Sequence, residues 1–153
     1  MSITIADLAA YNPQNELMLA VEVKKKINAS KKWATRLRRN ILAHGYLPPD
    51  KFFLLALPDR FYLWKNKSSR SDMDEPDYEI DSKPILAPYL KQVGMTAEEM
   101  SPSNFEMLIA LWLNEIMSPD KERDELTGDQ SWLVESGLMD ELTGGRLAHE
   151  ATI

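Results

Sequence analysis

Apolar and polar positions in the first 65 residues predict a β-hairpin, a helix and a second β-hairpin. The runs ITIADLAAY and ELMLAVEVK are rich in aliphatic and β-branched residues, and the turn-forming cluster NPQN separates them. KFFLLAL and RFYLWK repeat this arrangement around Pro58 and Asp59. FFLLAL is apolar throughout, as expected for a strand that is covered on both faces. We therefore expect a mixed sheet of about four strands.

The segment between the two hairpins, residues 28–44, changes to a helical period. Asn28 or Ser30 is placed to cap the start of this helix, and Gly45 to cap its end. Its apolar positions recur every four residues, at Trp33, Leu37 and Ile41. The pattern predicts a helix inserted directly after the second strand.

Beyond the second hairpin the chain becomes helical. Residues 66–83 are polar, acidic and interrupted by Pro76, so we interpret them as a loop or a flexible excursion. PILAPYLKQVG predicts a short helix, SPSNFEMLIALWLNEIM a strong one with Ser103 and Glu106 at capping-box spacing, and DQSWLVESGLMDELTGG a weaker one. The final RLAHEATI is expected to be frayed or bound to a partner. We predict a single α/β (α+β) domain, 1–153, with flanking helices and a helical part at 84–145.

Composition limits the chemistry that is possible. Cysteine is absent, which excludes disulfides, a thiolate nucleophile and a zinc-thiolate cluster, and which fits a cytoplasmic protein. The first residues have neither a basic start nor a long apolar stretch, and no window reaches 18 uncharged apolar residues. We expect a soluble cytoplasmic protein with no membrane partner.

Charge is distributed unevenly along the chain. The net charge is -6, yet positions 24–39 contain eight of the 18 lysine and arginine residues and no acid. The other positions carry ten basic and 24 acidic residues. A local basic patch can bind phosphates on an acidic body, because screening over about 8 Å makes nearby charges count most. The alternative is a solvated helix face.

Two charged residues interrupt the second strand of the first hairpin. Glu22 and Lys24 are two positions apart and therefore point to the same face. A tight turn can bring Asp7, on the first strand, opposite Glu22. Two adjacent carboxylates repel unless a cation joins them, and hard oxygen ligands suit Mg²⁺ or Mn²⁺. The structural alternative is an exposed strand end with a weak surface ion pair.

The order of hairpin, E-V-K triplet, basic helix and apolar strand, from Ile3 to Lys65, resembles the PD-(D/E)xK nuclease superfamily, which has the restriction-endonuclease-like fold. By this resemblance Asp7 and Glu22 bind Mg²⁺ or Mn²⁺, and the backbone carbonyl of Val23 assists. Lys24 would act on the attacking water. The resemblance implies a magnesium-dependent endonuclease that hydrolyses DNA phosphodiester bonds, with Asp7, Glu22 and Lys24 as its catalytic residues.

This chain departs from the superfamily pattern at its start. Ala6 stands where the motif has proline, and only six residues precede Asp7, whereas such folds usually begin with a helix. We expect either that a partner subunit covers the sheet there, most simply in a homodimer, or that the chain is an N-terminally reduced member of the superfamily with an incomplete site. The alternative function is a catalytically inactive nuclease-fold module for nucleic-acid or protein binding and dimerisation.

The remaining candidates are the nucleic-acid contacts and a rival motif. Pro58-Asp59 is a literal PD, and Asp81-Ser82-Lys83 is a literal D-x-K, but turn and loop contexts argue against a site there. The residues predicted to bind DNA phosphates are Lys25, Lys26, Lys31, Lys32, Arg36 and Arg39.

Overall fold

A computed structural model describes residues 4–44, 47–122, 125–126 and 128–152. Its strands are β1 (Thr4–Tyr11), β2 (Leu17–Val23), β3 (Phe52–Ala56), β4 (Arg60–Trp64), β5 (Tyr78–Asp81) and β6 (Arg146–Thr152). They form one sheet in the order β5-β4-β3-β2-β1-β6. The pair β2 and β3 is parallel, and the other neighbouring pairs are antiparallel. The predicted mixed sheet is confirmed, but it has six strands and not about four.

Five helices accompany the sheet. They are α1 (Lys31–Leu42), α2 (Lys83–Val93), α3 (Pro102–Met117), α4 (Trp132–Glu135) and α5 (Leu138–Leu142). Helix α1 is the crossover that makes β2 and β3 parallel, as a connection of this length permits. It begins at Ser30, whose hydroxyl accepts a hydrogen bond from the Trp33 N–H at 3.1 Å. Gly45, the predicted end cap, lies outside the described residues. No helix in the described ranges is long and apolar enough to cross a membrane.

The C-terminal helices differ in detail from the prediction. The hydroxyl that caps α3 belongs to Ser101, not to Ser103, and it accepts from the Asn104 N–H at 3.1 Å. The predicted last helix is divided into α4 and α5 at Gly137, whose φ of 85° is left-handed. A residue in this conformation ends one helix before the next can begin.

The first additional strand, β5, lies within the segment 66–83 that was interpreted as a loop. A buried arginine orders this segment: the Arg70 guanidinium donates to the Lys65 carbonyl at 2.9 Å and also pairs with Asp74 and Asp77. Asp77 in turn accepts from the Lys65 N–H at 2.7 Å. These contacts place the following residues beside β4, where they pair as β5.

The second additional strand, β6, comes from the tail that was expected to fray. It pairs with β1 in a register that joins Leu8 to His149 and Ala10 to Leu147. Just before β6, the backbone at Gly145 passes close to the backbone of Tyr11 in β1. A Cβ added at Gly145 would lie 1.9 Å from the Tyr11 carbonyl oxygen. The strand thus depends on a partner distant in sequence.

Both faces of the sheet are covered by helices. Helix α1 packs on one face, over a cluster that includes Ala20, Leu55 and Trp64. The opposite face is covered by the C-terminal helices. The predicted apolar side of α3 is confirmed as buried, and it packs in one cluster with Val21 and Leu54. Its residues are Phe105, Leu108, Ile109, Trp112 and Ile116. The sheet face opposite α1 is therefore covered by this chain's own α3.

Candidate metal and nucleic-acid site

Asp7 and Glu22 meet at one end of the sheet. The register of β1 and β2 pairs Leu8 with Val21, the sequence neighbours of Asp7 and Glu22, and the Asp7 and Glu22 carboxyls interact by charge and by a side-chain hydrogen bond. Glu22 is also paired with Leu55 of β3, whose side chain belongs to the core beneath α1. The two carboxylates therefore lie on the α1 side of the sheet, at the end from which β2 leads towards α1.

Val23 and Lys24 complete this group. The Val23 N–H donates to Asp7 Oδ2 at 2.8 Å. Val23 thus contacts Asp7 through its N–H, whereas the resemblance implied a role for its carbonyl oxygen. Lys24 Nζ lies 3.8 Å from Glu22 Oε2. The Glu22 side chain is only 13% exposed, while that of Lys24 is 46% exposed. The structure thus brings Asp7, Glu22 and Lys24 together, with the ammonium on the solvent side.

The electrostatics of the pair favour an added positive charge. Burial and, next, the neighbouring Asp7 carboxylate raise the pKa of Glu22, Lys24 opposes both effects, and the net result is a pKa of about 7. A hydrogen bond with the Asp7 carboxyl acts in the same direction as burial. Glu22 therefore binds a proton readily near neutral pH, and a divalent ion can replace that proton.

The donor set fits Mg²⁺ or Mn²⁺ in part. Asp7 and Glu22 supply carboxylate oxygens, which these hard ions prefer, and Mg²⁺ commonly keeps several waters beside one or two carboxylates. Among the described residues, however, no group of three or more His, Cys, Asp or Glu side chains could hold a metal ion. An ion here would complete its coordination with water, backbone oxygen or a substrate phosphate.

Lys25 is exposed, but its ammonium contacts protein. Its Nζ donates to the Glu98 carbonyl oxygen at 3.0 Å and also to the Met100 carbonyl oxygen. These carbonyls belong to the turn before α3, on the opposite side of the sheet from Glu22. The Lys25 ammonium is thereby occupied, so we leave it out of the nucleic-acid surface that the sequence predicted.

The other predicted phosphate contacts lie on or next to α1. Lys26 lies over the Trp33 ring, with its Nζ 5.2 Å from the ring centre. Four further side chains are exposed on the helix itself: Lys31, Lys32, Arg36 and Arg39. Lys32 and Arg36 also line an open groove of about 480 Å³ together with Thr35 and Glu75. The exposed cations thus begin beside the carboxylate pair and continue along the helix.

Arg38, in the middle of this basic segment, has a different role. It is 1% exposed, and its guanidinium donates to the Ser71 carbonyl at 3.1 Å and the Pro49 carbonyl at 2.9 Å. Burial and, next, the nearby Arg70 lower the pKa of Arg38 to about 10. Arg38 therefore fixes α1 to the neighbouring loops, and the basic segment is not a uniform binding face.

The rival PD and D-x-K residues make structural contacts. Asp59 Oδ2 accepts from the Asn28 N–H at 3.0 Å, and Asp81 Oδ1 accepts from the Lys83 N–H at 3.1 Å. Asp81 is an exposed residue at the end of β5, where it pairs in register with Arg60. Neither contact resembles a metal site.

Sequence reasoning missed the roles of Lys25 and Asp59. The partners of Lys25 are carbonyl oxygens more than seventy positions away, and no local pattern marks them. The turn position of Asp59 was predicted, but no sequence pattern connects it with Asn28, which lies 31 positions away. No protein-family model, curated protein or solved structure matches this chain.

Proposed function

We propose that the protein is a magnesium-dependent, endonuclease-like domain that hydrolyses DNA phosphodiester bonds. The observation that carries this proposal is the meeting of Asp7, Glu22 and Lys24 at the end of the sheet from which the basic helix α1 starts. A restriction-endonuclease-like core is part of the proposal. The β2-α1-β3 crossover, with two carboxylates and a lysine at the exit of β2, supports it.

The three side chains divide the work. Asp7 and Glu22 would hold Mg²⁺ or Mn²⁺, and the ion would supply Lewis-acid stabilisation of negative charge on the phosphoryl group. Lys24, which is partly exposed, is placed to orient the attacking water and to favour its deprotonation. The backbone carbonyl of Val23 is proposed as a further ligand by the resemblance to the nuclease superfamily.

DNA would approach across the exposed cations of α1. Contacts from lysine and arginine to phosphates position a duplex without reading its sequence. In the groove between α1 and the 66–77 segment, Lys32 and Arg36 would contact the phosphates of one DNA strand, and Thr35 lies beside them. Glu75 on the same groove disfavours close approach of a second phosphate there.

A second candidate function is a catalytically inactive module that binds nucleic acid or protein and dimerises. The observation in its favour is that, among the described residues, no third acidic or imidazole side chain joins the two carboxylates at the candidate site. A homodimer belongs to either proposal. The exposed apolar side chains of Val93, Met107 and Leu111 beside a cavity of about 240 Å³ offer a surface for it.

Metal binding and cleavage, measured separately, test the proposed nuclease. Mn²⁺ titration by calorimetry should show one site in the parent, no binding in Glu22→Gln or Asp7→Asn, and nearly unchanged binding in Lys24→Met. Asp120→Asn, which alters an exposed acid far from the pair, is the matched control. Lys24→Met should slow cleavage of DNA by about a hundredfold, a usual contribution of general acid–base assistance.

The substrates are duplex, single-stranded and branched DNA in Mg²⁺ or Mn²⁺. If the parent cleaves none of them and Glu22→Gln binds DNA as the parent does, the nuclease proposal fails and the binding module replaces it. A crystal soaked in Mn²⁺ adds a direct check, because anomalous density between Asp7 and Glu22 is expected only for the nuclease.

A further inference from the structure

The chain between β2 and α1, residues 24–30, carries the candidate water-orienting lysine and lies outside any helix or strand. Its two ends are held against the sheet. The Lys24 N–H donates to the Ala56 carbonyl at 3.1 Å, and the Tyr62 hydroxyl donates to the Ala29 carbonyl at 2.6 Å. These two contacts fix where the segment leaves β2 and where it enters α1.

Lys25 holds the same segment from the opposite side of the sheet. Its ammonium donates to the carbonyls of Glu98 and Met100, which are neutral acceptors. Both belong to the turn that precedes Ser101, the N-cap residue of α3. An ammonium bound to two backbone carbonyls neutralises no charge, so its contribution is geometric. It joins the start of α3 to the end of β2.

Asp59 holds the segment from the β3–β4 turn. Its Oδ2 accepts from the Asn28 N–H at 3.0 Å, and Asn28 has a left-handed φ of 58°. Asparagine adopts this conformation more readily than other non-glycine residues, and a charge-assisted hydrogen bond to its N–H stabilises it further. Asp59 thereby stabilises a bend that the segment would otherwise lose.

We propose that Lys25 and Asp59 are positioning residues that keep the Lys24 ammonium beside Glu22. The ion pair alone does not fix Lys24, since the two charged atoms are 3.8 Å apart and the lysine side chain is nearly half exposed. The backbone after Lys24 must therefore be fixed, and these two contacts hold it, while β2 and the Lys24 N–H hold the backbone before it. The inference rests on the proposed function only for its consequence on cleavage.

The opposite charges of the two residues make the test decisive. Removing the cation with Lys25→Met and the anion with Asp59→Ala would shift the potential at Lys24 in opposite directions. Loss of positioning, by contrast, acts in the same direction in both variants. Both should lower kcat at saturating metal by about tenfold or more, with KM for DNA within about twofold, because misplacement of a catalytic group costs rate rather than binding. Lys83→Met, at an exposed position on α2, is the control, and its kcat and KM should match those of the parent.

Hydrogen exchange followed by mass spectrometry supplies a readout that needs no activity. Amides in 24–30 should exchange about tenfold faster or more in both variants, because each loses a charge-assisted contact. Lys25→Arg, which keeps donors within reach of the carbonyls, should restore much of the protection and of kcat. Asp59→Asn replaces Asp59→Ala if the latter does not fold, and an intermediate effect is then expected.

Two results would overturn the inference: exchange in 24–30 that stays at the parent rate in Lys25→Met, or faster exchange together with an unchanged kcat. Effects of opposite sign in the two variants would also reject positioning in favour of a purely electrostatic role. A parent protein without metal-dependent cleavage would reject the proposed function instead, while the exchange rates would still decide whether Lys25 and Asp59 hold the segment.

Discussion

At the scale of single residues, the carboxylate pair makes the molecule sensitive to pH. The pKa of Glu22 is raised from 4.5 to about 7 by burial and by Asp7. The folded state therefore binds more protons than the unfolded state between these values. Protonation of Glu22 therefore stabilises the folded state. This contribution is fully present below the pKa that Glu22 has in the unfolded chain, and it is lost as the pH rises through about 7.

Glu22→Gln should remove this dependence. In the absence of metal, the parent should lose about 1 to 3 kcal/mol relative to Glu22→Gln as the pH rises from about 5 to about 8. Chemical denaturation at several pH values, with EDTA present and Asp120→Asn as the control, measures the difference. A parent that gains stability over this range relative to Glu22→Gln would contradict the raised pKa.

Mg²⁺ should reverse the trend, because it binds the pair only when both carboxylates are ionised. The rise in the parent's Tm on adding Mg²⁺ should therefore be larger at about pH 8 than at about pH 6. Asp7→Asn, whose amide oxygen can still accept from the Val23 N–H, should show little rise at either pH. An equal rise in that variant would place the ion elsewhere.

At the scale of elements, α1 combines two roles on different sides. Lys32 and Arg36 are exposed beside an open groove, whereas Arg38 is buried and bonded to loop carbonyls. Salt dependence of DNA binding separates these roles, since phosphate contacts release counterions and internal contacts do not.

Lys32→Ala and Arg36→Ala should each weaken DNA binding and reduce the slope of log K against log salt by roughly 0.9 for duplex DNA. Fluorescence anisotropy over a salt series measures the slope, and calorimetry should show metal binding unchanged. Lys83→Ala removes an exposed lysine from α2 and serves as control. If that variant flattens the slope equally, DNA does not run along α1.

The elements that sequence predicted are those with a strong local signal. Both hairpins have apolar runs around a turn cluster, α1 and α3 have a helical period, and all are found. β5 and β6 were missed because their pairing depends on distant partners, the buried Arg70 network and β1. The same division applies to the site: strand alternation was enough to group Glu22 with Lys24, but nothing local connects Lys25 to the turn before α3.

At the scale of the whole molecule, self-association remains a prediction on a changed basis. The sheet face opposite α1 is covered by α3, and Trp112 and Trp132 are buried, so they are not available to a partner. The surface that remains is formed by Val93, Met107 and Leu111, which are 54%, 51% and 57% exposed.

Light scattering at micromolar concentration should give a dimer for the parent and a monomer for Leu111→Glu. Met73→Glu, at an exposed apolar residue elsewhere, should remain dimeric like the parent. A monomeric parent would remove the prediction, and a dimeric Leu111→Glu would move the interface away from α3.

Gly145→Ala tests how closely β6 approaches β1. The added Cβ meets the Tyr11 carbonyl oxygen, which is backbone and cannot rotate away, so a loss of about 3 kcal/mol is expected. Gly144→Ala is the neighbouring control. Its Cβ would meet Pro13 at an ordinary 3.6 Å, and only its left-handed φ costs about 1 to 2 kcal/mol. Equal losses of unfolding free energy in urea would contradict the close approach.

The pairing of β6 with β1 also sets an order of events during synthesis on the ribosome. β1 acquires its inner neighbour β2 almost at once, but its other edge stays unpaired until residues 146–152 have emerged. At about 5–20 residues per second, that interval is on the order of ten seconds. During this time the exposed edge can pair with another nascent chain, which is a hazard of non-local sheets. Asp7 lies on this strand, so the strand that carries the candidate site has both neighbours only after residues 146–152 have emerged.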